Sequence, residues 1–497
     1  MKKKLNIGTK LGYGVGASAE ASLNIAFNVF NLIFYNNVLG LSGKLCGLAV
    51  FIALVFDAVS DPLVGAVSDR WRSRLGRRHP FLYLSAVPYG LCFFLIYAPP
   101  GFLHGSQVAL FLWLTILTVL LRTFQTFYHV PHLALGAELT TDYRERSVLM
   151  AYNSIFGMVG GVSATVLGFA YLGRGKDHVA EPGAYATLGI GFGIFAAVVI
   201  LISAVSTVRR GAALSAVPDL PNFDVGEFVR DAKACLRNKN YQMQLLGLLM
   251  IGPFIGTRET LSTYLLRFFW EVPTAKIGRI SLAVIPAFFI MFALAPRLHV
   301  RFSKRAVMLG GIALTVVAAS GPITLRLLGV LPDNSDPLIY RILLLERFLF
   351  YLGFSSFVMS VMSALGDVAD EHELDVGRRQ EGMFYSARSF FGKVTQGGGH
   401  LLAGFAIDLI GFQPKAKVGE IPESVLIGLG IVDGPLAGAF GLAAMVLYGR
   451  YRIDRDRHAR IRAELAARSA AKETQQGAHT APAEEVRLEA TPAEGPG

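Results

Sequence analysis

Charge is scarce in this 497-residue chain: only 17% of its residues are Asp, Glu, Lys or Arg, against about 25% in ordinary soluble proteins. That excludes the two or three soluble domains that length alone would suggest, and it excludes disorder for all but the last ~45 residues. Cysteine is nearly absent. Cys46 and Cys92 sit in apolar runs and Cys235 in a charged loop, so no disulfide scaffold and no thiolate redox or metal framework is available. The ten histidines show no ligand spacing, and zinc is not expected. No P-loop is present, so ATP does not drive the protein directly. Gly14-Val15-Gly16 lies inside an apolar run, not after a strand, and is no dinucleotide fingerprint. The formal net charge of +11 does not point to nucleic acid, because in so apolar a chain a basic excess collects in cytoplasmic loops.

What the chain has is long apolar runs. A helix crossing a ~30 Å hydrocarbon core needs about 20 mostly apolar residues. Roughly twelve such stretches follow one another: 11–35, 46–67, 81–98, 108–135, 148–172 and 187–208, then 243–269, 277–298, 306–328, 339–365, 383–410 and 425–448. The expectation is an all-α integral membrane protein of twelve spans in two six-helix bundles, 1–208 and 241–450. A cytoplasmic loop, 209–240, joins them, and a largely disordered cytoplasmic tail, 451–497, follows. Within that tail 452–472 reads as a short helix on the membrane surface. Placing both termini in the cytoplasm puts ~32 basic residues inside, Lys2, Lys3 and Lys4 among them, and about 9 outside. The first apolar run is too long for a signal peptide and lacks a cleavage site, so it reads as a retained span.

A charged side chain at mid-membrane costs ~2.5–3.5 kcal/mol and is a functional candidate by default. Asp57 and Asp61, in the second span, are four apart and share a helical face. Two such carboxylates repel unless a cation lies between them or one holds a proton, and Na⁺ or H⁺ serves equally. Ser60 or a hydroxyl from another helix would complete the oxygen shell. Alternatively, Asp57 braces a helix and Asp61 pairs with an interfacial Arg. Lys393, beside the run Gly397-Gly398-Gly399, is a partner for the two acids, a direct substrate contact or a snorkelling lysine. Arg258 with Glu259, and Glu346 with Arg347, read mostly as braces. In the fourth span Pro131 is expected to break the helix ladder and turn freed carbonyls toward a cavity. There His129 titrates, donates to a substrate or simply satisfies a neighbouring helix.

The junction Asp61-Pro62-Leu63-Val64-Gly65-Ala66-Val67-Ser68-Asp69-Arg70, followed by Gly76-Arg77-Arg78, resembles the signature of the major facilitator superfamily. With Asp57 and Asp61 upstream it is similar to one branch, the glycoside-pentoside-hexuronide:cation symporters typified by melibiose permease. Phe34-Tyr35, Asp142 to Arg146, and Tyr385-Ser386 through Lys393 agree, and the likeness covers about residues 9–450.

The resemblance implies cation-coupled sugar or glycoside symport across the inner membrane by a monomer, with no enzyme activity. It implies no cofactor beyond the coupling ion and no partner beyond the small-molecule substrate and membrane lipid. By residue, it implies that Asp57, Asp61, Ser60 and Thr126 bind the cation, Asp57 and Asp61 being the metal ligands if that ion is Na⁺. It gives coupling to Lys393 and a cytoplasmic gate to Asp69, Arg70, Arg77 and Arg78. The sugar side departs from melibiose permease: His129 stands where a fourth-span Asp is expected, Asn153 falls near the place of a fifth-span Arg, and Glu20 substitutes for a first-span Asp. Glu20, His129, Asn153, Arg388 and Gln396 are the expected substrate residues, in a cavity lined by spans one, two, four, five, eight, ten and eleven. The string His129-Val130-Pro131 also resembles vertebrate relatives that carry lysophospholipids with Na⁺, so an amphiphile carrier is the alternative.

Overall fold

The computed structural model describes residues 5–480 apart from 141, 175–177, 215–224 and 379. Lys2, Lys3 and Lys4 and the end of the tail, 481–497, lie outside the described residues. Sixteen α-helices and no strand are found among the described residues. They are α1 (Ile7–Leu32), α2 (Gly43–Arg70), α3 (His79–Tyr97), α4 (Gln107–Glu138), α5 (Tyr143–Leu172), α6 (Pro182–Leu214), α7 (Val225–Arg237) and α8 (Lys239–Tyr264). Then come α9 (Thr274–Ile280), α10 (Val284–Arg301), α11 (Lys304–Leu327), α12 (Pro337–Val376), α13 (Glu381–Leu409), α14 (Glu423–Ile431), α15 (Ala437–Tyr448) and α16 (Arg455–Thr480). Short polar side chains start many of them by accepting an otherwise orphaned backbone N–H. Asn6 takes Thr9 N–H at 3.0 Å, Ser106 takes Ala109 N–H at 3.2 Å and Ser303 takes Ala306 N–H at 3.1 Å.

Nine helices among the described residues are long and apolar enough to cross a membrane, counting α9–α10 and α14–α15 as one each. Three more, α1, α8 and α13, are as long but more polar, and they pack among the nine. These three bring Glu20, Arg258 with Glu259, and Lys393 into the bundle. Both α1 and α8 finish in π-helical turns, Ile33–Val38 and Leu265–Phe269. That shared ending is what an internal duplication would leave.

Helices α1–α6 pack against one another, and α8–α15 do likewise. The two groups meet mainly at the end away from the chain termini. There α2 and α13 touch backbone to backbone: a methyl group at Gly404 would sit 2.2 Å from the Gly43 carbonyl oxygen. Only glycine permits that approach. Tyr264 Oη donates to Asn36 Oδ1 at 2.8 Å, and Lys415 N–H to the Asn37 carbonyl at 2.7 Å. Asp408, at the end of α13, caps α2 across the groups, accepting from Gly43 N–H (2.7 Å), Lys44 N–H (3.0 Å) and Ser42 Oγ (2.8 Å). A cavity lies between the two groups, lined by residues of both.

Three expectations change here. α4 stays helical through Pro131, which removes only the one ladder bond to the Phe127 carbonyl. The 209–240 segment is not simply a loop: it contains α7, and Cys235 is a buried helical residue with its Sγ 3.9 Å from His372 Nε2. The tail is helical from Arg455 to Thr480, and its first turns dock on the protein. Ile461 is buried, Arg457 Nη2 lies 2.6 Å from Glu371 Oε1, and His458 Nε2 lies 3.1 Å from Asp370 Oδ2.

Candidate functional site

The four-residue spacing of Asp57 and Asp61 turns both carboxylates from α2 toward α4 and α13. Lys393 Nζ sits between them, 2.8 Å from Asp57 Oδ2 and 2.5 Å from Asp61 Oδ2. On the other side Thr126 Oγ lies 2.7 Å from Asp57 Oδ1, 3.0 Å from Asp61 Oδ1 and 3.0 Å from the Arg122 carbonyl. One hydroxyl proton serves a single acceptor at a time, so the remaining oxygens stay available to a cation. Two carboxylates against one ammonium leave a formal charge of −1. Asp57 is buried, while Asp61 and Lys393 are 21% and 24% exposed, so the group is reached from the cavity. Ser60 is not part of it: its hydroxyl donates to the Asp57 carbonyl of its own helix at 3.2 Å.

The cavity, of about 650 Å³, is lined by Glu20, Arg122, Gln125, His129, Asn153 and Gln396, together with the Asp57, Asp61 and Lys393 group. His129 Nδ1 lies 2.7 Å from Glu20 Oε2, and Gln125 Nε2 donates to Glu20 Oε1 at 3.2 Å. Asn153 Oδ1 is 3.1 Å from His132 Nε2. Gln396 donates to Glu259 Oε2 at 2.8 Å. The seventh span therefore enters the cavity through Glu259. The tenth span borders an adjoining chamber of about 290 Å³, where Phe350, Phe354, Val162 and Phe169 make a mostly apolar lining interrupted by Arg258, Glu259 and Arg347.

Arg388 does not line the cavity. It stands five residues, or about 140° of helix rotation, from Lys393. The expected gate residues form a network inside the first six helices. Arg78 pairs with Asp69, donates to Ser68 Oγ at 2.7 Å and holds Glu138 Oε1 at 3.0 Å, and Arg77 reaches the same oxygen at 3.0 Å. Arg70 ends α2 beside them.

Three residues at or around the site escaped the sequence reading. Arg122 is a charge within an apolar span and falls under the same rule that singles out Asp57. Glu138 and Asp408 stand at helix ends, where carboxylates read as ordinary interfacial residues.

The family described as MFS/sugar transport protein matches residues 12–455. A putative glycoside/cation symporter of Escherichia coli, YagG, is 24% identical over 84% of this chain and 85% of its own length. A sodium-dependent lysophosphatidylcholine symporter of Danio rerio is 31% identical, over only 34% of this chain and 32% of its own. Among solved structures, the xylose transporter XylE of E. coli in an inward open conformation matches with a TM-score of 0.58 at 13% identity. That match covers 90% of this chain and 95% of the other, a likeness of fold.

Proposed function

We propose that this chain, which belongs to the family of MFS/sugar transport proteins, is a secondary active transporter moving a sugar or glycoside together with Na⁺ or H⁺. It does so by alternating access, as a twelve-span monomer of the inner membrane with both termini cytoplasmic. The observation that carries the reading is the Lys393 ammonium seated between Asp57 and Asp61, facing a cavity of amide, hydroxyl and charged groups.

Lys393 is itself a monovalent cation in a monovalent-cation site. An ion arriving from solution competes for the same carboxylate oxygens, with Thr126 Oγ as a further ligand. Once it is seated, the ammonium is released toward the cavity. The ion with the two carboxylates keeps the site at −1, and the cavity gains the positive charge of Lys393. Glu20, His129, Asn153 and Gln396 line the adjoining space with donors and acceptors suited to sugar hydroxyls. Cation and sugar therefore share one wall, and each raises the other's affinity by the same factor. The contacts between the two groups at Gly43–Gly404, Asp408 and Tyr264 lie at the end away from the termini, the arrangement expected of an inward-facing state. The outward-facing state requires the Gly43–Gly404 contact and the Asp408 cap to part, and the two helix groups to rock about the midplane site. The Asp69, Arg77, Arg78 and Glu138 network acts at the cytoplasmic side by stiffening the first six helices for that motion.

Uptake by proteoliposomes, with methyl glycosides of glucose, galactose and xylose, tests this reading. Sugar should accumulate against its gradient only when a Na⁺ or a pH gradient is imposed. Accumulation that ignores both gradients would end the proposal. The mostly apolar lining of the chamber beside the cavity favours the second reading, a cation-coupled carrier of a lysolipid or other amphiphile. Lysophosphatidylcholine uptake without sugar uptake selects it.

A further inference from the structure

Three guanidinium groups are buried among the described residues, and two of them have carboxylate partners. Arg258 holds Glu346 and Asp433; Arg78 holds Asp69 and Glu138. Arg122 is 6% exposed, and no carboxylate lies within 4.0 Å of it among the described residues. Its one hydrogen bond from the side chain is Nη1 to Gln125 Oε1 at 3.0 Å, and its Nε has no partner. The Phe27 ring, 5.9 Å from the guanidinium carbon, offsets part of the charge without satisfying a donor.

Glu259 is the mirror case. Its Oε2 accepts from the neutral amides of Gln396 (2.8 Å) and Asn28 (3.4 Å), its Oε1 accepts no hydrogen bond, and no cation stands within 4.0 Å among the described residues. Both side chains line the same cavity, and the Arg122 charge is felt at Glu259. They come from opposite helix groups, α4 and α8. A charge held at membrane depth without a partner is costly, and two opposite charges facing one cavity without touching leave room for something between them.

The occupant's chemistry follows from the donor set. A guanidinium only donates and a carboxylate only accepts. A sugar hydroxyl does both, so one hydroxyl, or two adjacent ones, can accept from Arg122 and donate to Glu259. Because the two charges cancel, the site favours a neutral polyol over an acidic or a basic substrate.

We infer that Arg122 and Glu259 are the pair that grips the sugar from the two helix groups, so that a neutral, hydroxyl-rich substrate closes the bundle on itself. This rests on the symport reading above. It adds two binding residues and a reason why substrate favours closure: the sugar replaces a missing ion pair between the halves.

The test uses the full-length protein in proteoliposomes, with the same methyl glycosides and their singly deoxygenated analogues. Arg122→Gln and Glu259→Gln should each raise KM for the transported glycoside about tenfold or more, the effect of one lost charge-assisted hydrogen bond. Cation affinity without sugar, measured by calorimetry, should stay within about twofold. Glu259→Asp should recover part of the loss. One deoxy analogue should be poor for the wild type and no poorer in Glu259→Gln, because the hydroxyl and the carboxylate act on each other. KM within about twofold of wild type in both Gln variants overturns the inference, as does a deoxy penalty that simply adds to that of the variant. Variants that cannot be recovered folded also overturn it, since that assigns the pair a structural role. If the wild type moves no glycoside under either gradient, the symport reading falls as well. If it moves glycosides and the variants are unaffected, only this inference falls.

Discussion

Two charge clusters lie at membrane depth and are made of the same kinds of residue. Lys393 with Asp57 and Asp61 joins α13 to α2, crosses between the helix groups and faces the cavity. Arg258 with Glu346 and Asp433 joins α8 to α12 and to the π turn Val432–Leu436, and stays within the second group. Arg258, Glu346 and Asp433 are 9%, 4% and 0% exposed, against 24% for Lys393 and 21% for Asp61. Arg347 Nε stands 3.9 Å from Glu346 and brings the second cluster to formal neutrality. The first remains at −1. An ammonium is a compact charge that a small cation can replace, whereas a guanidinium held by two acids is fixed by its fork geometry. Water access, net charge and the choice of Lys over Arg thus set the proposed exchangeable site apart from a brace.

The comparison breaks most visibly at the acids. Asp57→Asn and Asp61→Asn should each reduce gradient-driven uptake more than about a hundredfold, because the coupling ion loses a ligand and Lys393 loses a reason to leave. The folded protein should be recovered at near wild-type yield. Concentrative uptake retained in both variants would remove the cluster from the mechanism.

The brace should fail differently. Arg258→Met leaves Glu346 and Asp433 without their cation, and breaking a buried pair costs about 3–5 kcal/mol. Thermal unfolding in detergent should show a large loss of stability. Whatever protein survives should keep the wild-type ratio of cation to sugar transported. An altered ratio would mean that the second cluster also couples.

Lys393→Gln sharpens the contrast from the other side. Removing the internal competitor leaves two carboxylates for one ion. Cation affinity without sugar should rise about tenfold, or 1.4 kcal/mol, while uptake falls because the ion no longer leaves readily. Unchanged cation affinity would show that the ammonium and the ion do not compete.

Much of this was legible in the sequence because membrane-depth charge is so conspicuous. Asp57, Asp61 and Lys393 stand out from apolar surroundings, and the spacing of the two acids alone puts them on one face. What could not be read was which charge meets which. Arg258 and Glu259 are neighbours in sequence but about 100° apart on a helix, so one braces while the other looks into the cavity. Arg388 and Lys393 part company for the same reason. Hydropathy nearly hides α1, α8 and α13, the helices whose polar residues make the cavity. Docking of α16 was invisible as well, because acids of α12 far away in sequence receive Arg457 and His458.

The smallest expected effect lies at the contact that keeps one end of the bundle shut. Asp408 accepts two N–H groups at the start of α2, so it acts as an N-cap supplied by the opposite helix group. Such a cap contributes about 1 kcal/mol, and a carboxylate at a helix N-terminus gains a further ~0.3–1 kcal/mol from the macrodipole. This stabilisation exists only while that end is closed, so it biases the two-state equilibrium without entering the cation site. Asp408→Asn keeps an acceptor and loses the charge, which should shift the populations by about two- to fivefold. Cys46 is a native reporter of that shift. It is buried on α2 in the small space between the groups that Thr260 and His400 help line, and it becomes reachable when that end opens. Its rate of maleimide labelling should rise by the same factor in Asp408→Asn and fall back when cation affinity is weakened by Asp61→Asn. A labelling rate indifferent to both substitutions would mean that the cap is ordinary helix chemistry, and that the glycine contact of α2 with α13 alone holds the end shut.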